Sequence, residues 1–349
     1  MKKQIDVLYQ FNEKYVPYAG ASITSLLENN GYFEKIRIFV LGEGIQEESK
    51  ERFQRLVTSY RASDKERTLV FVETDALIAR MKEMNMPAYR GSYAANMRLF
   101  LSGLLPEDVD RLLYLDGDTI VDAPLDDLLS FPMTKEGEDM PLAMALDSLV
   151  RLHKFDIGLK LEDAYYNSGV ILFSMKNWEK CRCSERIADH VQKVRSHYPS
   201  PDQDLLNVVC KGQIITLPAT YNMQPIHLAF SLVAYFRHFK PTGYYTEAEL
   251  TKAVEHPIIY HFFRFVGEFP WHKDTLHPDK ALFDRYIALS PWCDYEKKPA
   301  ENGLVLKIEK ILFRVLPRDV FIILFHMAHQ HFTAQANKLS LQNKTHKEM

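Results

Sequence analysis

Residues 112–125 read LLYLDGDTIVDAPL, a hydrophobic run that ends on two aspartates and then turns apolar again. RLLYL (111–115) has the length and composition of a buried strand. Asp116 and Asp118 stand in an i, i+2 relation at its end, so their carboxylates point the same way. Gly117 between them lets the backbone turn tightly or lets a ligand approach closely. Like charges held that near one another repel unless something positive sits between them. A divalent cation meets that need, and a nucleotide diphosphate could supply the remaining oxygen ligands. The competing reading is a solvated acidic turn after a strand. The apolar Ile120-Val121 that follows weighs against it.

The first third of the chain alternates β-rich runs with helical stretches. IDVLY (5–9), IRIFVL (36–41) and TLVFVE (68–73) read as strands. Between and after them, helices are expected over 18–29, ended by Asn30-Gly31, over 46–61, over 75–84 and through 97–104. LAMAL (142–146), GVILF (169–173), IITLP (214–218) and PIIYHF (257–262) continue the strands. Helices are expected over 184–196 and from Pro201-Asp202, and MTKEGEDMP (133–141) reads as a polar loop. This alternation argues for an α/β fold with a mostly parallel sheet, whose ligands sit at the carboxyl ends of the strands.

The 349 residues are 46% apolar, 26% charged and 12% aromatic, the profile of a globular protein, which excludes disorder, collagen-like repeats and a polytopic membrane protein. A net charge of −3 offers no global positive field, so nucleic acid is not an expected partner. Four cysteines in a chain this long do not make a disulfide framework. MKKQIDVLYQ lacks the apolar run of a secretory signal, so a cytoplasmic protein is expected. From Glu301 onward, seven Lys/Arg against four acids give a net +3, which leaves −6 for the preceding 300 residues. In this basic segment Leu304, Leu306, Ile308, Ile311, Leu312, Val315 and Leu316 recur at helical spacing up to Pro317, and VFIILF (320–325) follows. Two readings stand level: a helical hairpin docked on the rest of the protein, or an interfacial membrane contact through 304–328 with basic residues at anionic headgroups.

Six blocks, in this order and spacing, carry a resemblance: IDVLYQFNEKYVPYAGASITSLLENN (5–30), YAANMRLF (93–100), LYLDGDTIV (113–121), YYNSGVILFSMKNW (165–178), PDQDLLN (201–207) and YHFFRFVGEFPWHK (260–273). Together they resemble glycosyltransferase family 8. These are retaining nucleotide-sugar enzymes that include bacterial lipopolysaccharide galactosyl- and glucosyltransferases and the glycogenins. The resemblance implies a single GT-A-type domain over 1–290, leaving a helical extension over 291–333 and a frayed tail over 334–349. It implies that Asp116, Asp118 and His261 hold Mn²⁺, with Mg²⁺ as the alternative ion. An imidazole among hard oxygens is consistent with the former. Asn12 would face the uracil, Tyr15 would shape the nucleotide pocket, and Arg98 would contact the donor. Asn167, Ser168 and Gly169 would line the sugar site together with Gly117, Asp204 and Gly267. Asp147, Asp202 and Gln203 would surround the anomeric carbon.

Without the resemblance, His261 reads as a satisfied strand histidine, Arg98 as a salt-bridge partner and Gly169 as structural. Pro201-Asp202-Gln203-Asp204 reads as a helix N-terminus, which explains its acids but not its glutamine. The chain also departs from the family pattern. Lys14 stands at the ribose-contacting Asn, and Phe269, preceded by Glu268, replaces the usual Lys before Pro-Trp. The segment between His261 and Pro270 is longer than common, so the diphosphate contact would pass to Arg264 or Lys273.

The expected activity is retaining transfer of a hexose, glucose or galactose, from a UDP-sugar to a hydroxyl of a glycan or lipid-linked saccharide. This would serve lipopolysaccharide or other envelope polysaccharide synthesis at the inner face of the cytoplasmic membrane. The alternatives are a catalytically degenerate sugar-nucleotide or glycan-binding protein, given Lys14 and Phe269, and a nucleotidyltransferase. The latter lacks a Gly-rich phosphate loop near the first strand.

Overall fold

Alternation along each strand sorts its side chains into two separate cores. In β1, Gln4–Asn12, Ile5, Val7, Tyr9 and Phe11 enter one core while Leu8 enters the other. Such a strand is apolar on both faces because helices cover both sides of the sheet. The structure, a computed structural model, describes residues 3–89, 91–150, 153–194, 198–301 and 303–329. Beyond β1 the strands are β2 Lys35–Glu43, β3 Glu66–Val72, β4 Arg111–Asp116, β5 Thr119–Val121, β6 Thr134–Lys135, β7 Glu138–Asp139, β8 Leu142–Leu146, β9 Tyr166–Ser174, β10 Ile214–Thr216 and β11 Ile259–His261.

Seven of them form one sheet in the order β10-β8-β9-β4-β1-β2-β3. Every pairing in it is parallel except those of β9, which runs antiparallel to both β4 and β8. That reversal has a functional consequence. The N-terminal end of β9 lies at the same edge as the carboxyl ends of β1, β4 and β8. The register Leu115–Val170 therefore sets Asn167, Ser168 and Gly169 beside Asp116. Off this edge β5 and β11 pair antiparallel, with Thr119 opposite His261.

Most expected elements form with ends shifted by a residue or two. Two differ in kind. The stretch expected as a helix through 97–104 is a 3-10 helix, Ala94–Phe100, almost wholly buried. The Gln10 side chain enters its backbone, accepting from Arg98 N at 2.9 Å and donating to Ala95 O at 2.8 Å, and this substitutes for regular helical bonding. The loop over 133–141 contains the hairpin of β6 and β7, turned by Glu136 (φ 54°) and Gly137 (φ 83°). Positive φ at both central residues matches the twist of a two-residue hairpin.

A third core holds Phe230, Tyr235, Phe239 and Phe265 together with Phe313, Phe321, Ile322 and Phe325 of the C-terminal segment. The helix Leu304–Val315 and the helical residues 318–329 thus dock by their aromatic face. Their other face stays in solvent, with Leu304, Val305, Ile308, Ile311, Val315, Ile323 and Met327 all exposed. Among the described residues no helix is long and apolar enough to cross a membrane. The tail expected over 334–349 and residues 330–333 of the extension lie outside the described residues.

Candidate active site

At the carboxyl edge of the sheet, Asp116 closes β4, Asp118 follows two residues later, and His261 ends β11. The β5–β11 pairing draws the histidine in, and Phe262 N donates to Asp118 O at 2.9 Å to lock the register. His261 Nε2 lies 3.5 Å from Asp118 Oδ1 and 3.7 Å from Asp116 Oδ2. One ligand atom from each of the three residues falls within 4.8 Å of the other two.

The protonation of this imidazole can be followed along a chain of amides. The Asp147 carboxylate can only accept, so Asn167 donates to it through Nδ2 at 2.9 Å. Asn167 Oδ1 then accepts from Asn222 Nδ2 at 2.8 Å. Asn222 Oδ1 in turn faces His261 Nδ1 at 3.1 Å, so Nδ1 carries the proton and donates it. The Nε2 lone pair is left aimed at two carboxylates. In the neutral imidazole the three side chains offer converging electron pairs, which is the donor set a divalent cation requires. Gly169 makes the arrangement fit, because a Cβ there would lie 2.0 Å from His261 Cε1. Gly117 differs. Its φ is not positive, and an added Cβ would meet Ala19 at an ordinary 3.4 Å, so the backbone turn does not require a glycine. Its place on the cleft wall leaves close ligand approach as its use.

Arg98 is buried, at 4% exposure. Its Nη1 lies 3.1 Å from Asp116 Oδ1 and its Nη2 lies 2.9 Å from Asp202 Oδ2. The guanidinium sits 4.2 Å from the Tyr114 ring centroid, and the Tyr114 hydroxyl donates to Asp116. Burial alone would depress the guanidinium pKa, but the neighbouring charges of Asp116 and Asp202 outweigh it and hold the pKa above its ordinary value. Arg98 therefore ties the acidic pair to the helix Pro201–Val209 as well as lining the cleft.

That helix presents Asp202 and Gln203 at its first turn. The Gln203 carbonyl accepts from Ser168 N at 2.9 Å and Asn167 Nδ2 at 3.1 Å, and its amide donates to Tyr165 OH at 3.1 Å and Asp147 Oδ2 at 3.3 Å. Asp147 also accepts from Leu149 N at 3.1 Å. Asp204 points away from the cleft and is fully buried. It accepts from Tyr165 OH at 2.5 Å and Ser200 N at 2.9 Å, and it pairs with His153 Nε2 at 2.7 Å. Burial works against a charged His153, yet Asp204 outweighs it and the imidazole pKa is raised.

The cleft above has a volume of about 540 Å³. Its wall includes Asn12, Lys14, Tyr15, Arg98, Asp116, Gly117, Asp118, Ser168, Asp202, Gln203, Arg264 and Phe269. Asn12 also caps the turn that follows β1, accepting from Lys14 N at 3.1 Å. Asp147, Asn167 and Gly169 lie one layer behind, joined to the wall through Gln203 and His261. Gly267 sits in a turn at φ 73°, and Lys273 is exposed with its backbone N–H bonded to Lys298 O. Neither lines the cleft, so of Arg264 and Lys273 only Arg264 reaches it. Sequence reasoning passed over Asn222, Tyr165, Tyr114 and His153. Tyr165 and Tyr114 lie inside quoted blocks without a chemical cue, and Asn222 belongs to no motif.

A mostly parallel seven-stranded sheet flanked by helices, with a cleft at its carboxyl edge, is a GT-A-like fold. The chain matches the model of Glycosyl transferase family 8 over residues 6–275 and belongs to that family. It is 25% identical to lipopolysaccharide 1,2-glucosyltransferase of Escherichia coli K12, over 87% of this chain and 83% of that protein. It is 23% identical to lipopolysaccharide 1,3-galactosyltransferase of Salmonella typhimurium LT2, over 83% and 79% respectively. Among solved structures, the galactosyltransferase LgtC, in complex with donor and acceptor sugar analogues, superimposes with a TM-score of 0.63. It is 20% identical, over 82% of this chain and 96% of that one, and shares the fold.

The packing of Gly169 against the imidazole generates a direct test. Gly169→Ala gains about 0.4–1 kcal/mol from the unfolded chain, but overpacking costs about 1–3 kcal/mol. The clash at 2.0 Å decides the sign. Thermal unfolding should show a lowered midpoint, and a crystal structure should show the His261 ring moved off Asp118. An unchanged midpoint with the ring in place would contradict the packing argument.

Proposed function

We propose that the chain is a retaining hexosyltransferase that moves glucose or galactose from a UDP-sugar to a hydroxyl of a glycan or lipid-linked saccharide in envelope polysaccharide synthesis. The observation that carries this reading is the aim of the His261 lone pair at Asp116 and Asp118 on the floor of the cleft. These three residues would hold a divalent cation, Mn²⁺ in preference to Mg²⁺ because an imidazole joins the oxygens. When bound, the ion supplies Lewis-acid stabilisation to the departing diphosphate. The envelope assignment follows the similarity to the lipopolysaccharide transferases above.

The chain's own residues do the rest. Arg264, in the cleft beside Phe269, is placed to meet phosphate oxygens. The C1–O bond to the β-phosphate breaks as positive charge grows on the sugar ring, and the Asp147 and Asp202 carboxylates favour that charge. Both ends of the Gln203 amide are engaged, which suits an orienting group better than a nucleophile. An acceptor hydroxyl attacks C1 from the face the phosphate leaves, and its proton passes to the departing phosphate oxygen. Lys14 and Phe269 line the cleft without displacing the three metal-facing side chains, so they give the degenerate binding-protein alternative no support.

The division into a catalytic domain over 1–290 and an extension over 291–333 belongs to this proposal. So does contact of residues 304–328 with the inner face of the cytoplasmic membrane. The apolar face left in solvent by Leu304, Val305, Ile308, Ile311 and Val315 supports it, with Lys307 and Arg314 exposed beside it.

Asp118→Ala should cut Mn²⁺-dependent release of UDP from UDP-glucose and UDP-galactose by about 10³-fold, since a lost Lewis acid costs several kcal/mol. Circular dichroism should show the fold retained. Turnover equal to wild type would remove the assignment. For the membrane surface, the double variant Ile308→Ser, Ile311→Ser should bind phosphatidylglycerol vesicles at least about tenfold more weakly in flotation, given roughly 1.5–3 kcal/mol per large apolar side chain buried. Unchanged binding would leave the segment a packing role only.

A further inference from the structure

The loop that closes one side of the cleft is a strained turn held from outside. Phe265 and Glu268 exchange backbone hydrogen bonds, Phe265 N to Glu268 O at 2.8 Å and Glu268 N to Phe265 O at 3.0 Å. The two residues between them, Val266 and Gly267, both have positive φ, 48° and 73°. Glycine adopts that conformation freely, but a β-branched valine there is a genuine outlier that surrounding structure must impose. The residues flanking the turn, Arg264 and Phe269, both line the cleft. Phe269 is stacked on Trp271 at 4.5 Å, and Trp271 is stacked on Tyr18 at 4.0 Å.

What imposes the turn comes from the C-terminal extension. Lys310, on the helix Leu304–Val315, donates to Glu268 Oε1 at 2.6 Å and to Asp274 O at 2.8 Å. The Glu268 side chain is 4% exposed, and its second oxygen accepts from Leu276 N at 3.3 Å. One turn further along, Phe313 meets Phe265 edge-on at 5.3 Å, and Phe325 meets it at 6.0 Å. A carboxylate this buried is tolerable only with its charge partner in place. Lys310 alone among the basic residues of that helix points at the body of the protein, whereas Lys307 and Arg314 face solvent.

We infer that Lys310 is a positioning residue for the donor site: through Glu268 it holds the Phe265–Glu268 turn, and the turn sets Arg264 and Phe269 against the nucleotide. The helix that carries the solvent-exposed apolar face is thereby also a wall support of the cleft. This rests on the reading of the cleft as a UDP-sugar site, and the test separates the two.

The test is titration of the full chain with UDP and Mn²⁺ by calorimetry, alongside donor kinetics, for wild type, Lys310→Glu and the charge-exchanged pair Glu268→Lys, Lys310→Glu. Lys310→Glu should weaken UDP binding and raise the donor KM by about tenfold, because it leaves one buried carboxylate facing another. Its kcat should change by less than about twofold, the signature of lost ground-state binding. The exchanged pair should bind UDP more tightly than Lys310→Glu but short of wild type, since the ion pair re-forms while Leu276 N–H and Asp274 O still suit the original polarity. A purely structural role would instead lower thermal stability and the active fraction with KM unmoved. Should Lys310→Glu not fold, Lys310→Met is read in the same way. UDP binding by the single variant equal to wild type, or no recovery in the exchanged pair, would overturn the inference. Failure of the wild type itself to bind UDP would count against the cleft assignment instead.

Discussion

Two carboxylates and an imidazole lone pair directed at one point repel one another, and a fold that holds them there must be organised to do so. Here the organisation begins at Asp147. Because that carboxylate can only accept, it orients Asn167, which orients Asn222, which fixes the proton on His261 Nδ1. One acidic residue at the end of β8 thus orients a side chain on β11, more than a hundred residues later. The same carboxylate also accepts from Gln203, so the histidine beside the acidic pair and the glutamine on the cleft wall share one anchor. Stability and chemistry are coupled at this anchor, since loss of its acceptor would leave several buried amides unpaired.

Topology supplies the convergence. A purely parallel sheet would send the start of β9 to the opposite edge from Asp116. The single reversed strand instead brings Asn167, Ser168 and Gly169 to the carboxyl edge, where Arg98 crosses from Asp116 to Asp202. The buried guanidinium compensates two carboxylates at once, which keeps the acidic floor of the cleft compatible with burial. The Gln10 side chain bonds the 3-10 stretch that carries Arg98 at both Ala95 O and Arg98 N, which ties that stretch to β1. The C-terminal segment completes the wall from outside by packing Phe313 and Phe325 on Phe265.

Much of this was legible in the residues. Parity along IDVLY and LLYL carries both cores because apolar alternation is a local property. Asp116 and Asp118 announce themselves by standing at the end of a buried strand. The histidine, the arginine and the Asn-Ser-Gly turn were legible only through the family resemblance, since each alone is an ordinary residue in an ordinary setting. What stayed hidden was non-local. Asn222 acts through contacts to residues far from it in sequence, and no periodicity or spacing marks it. Asp204 looked like one of three equivalent polar groups at a helix start, yet helical geometry turns it inward to His153 and Tyr165 while Asp202 and Gln203 face the cleft. The polar segment over 133–141 hid a hairpin because its strands are two residues long. In the basic tail the pattern showed two faces but not which face the protein buries.

Under the proposed function, Asp116, Asp118 and His261 would hold one divalent cation through the Nε2 lone pair. A crystal grown with Mn²⁺ and UDP, with data collected at the manganese absorption edge, tests it most directly. A single anomalous peak bonded to both carboxylates, to His261 Nε2 and to the diphosphate is expected, with His261 Nδ1 still donating to Asn222. A peak that leaves the imidazole unligated, or no peak at this edge of the sheet while UDP is bound, would contradict it.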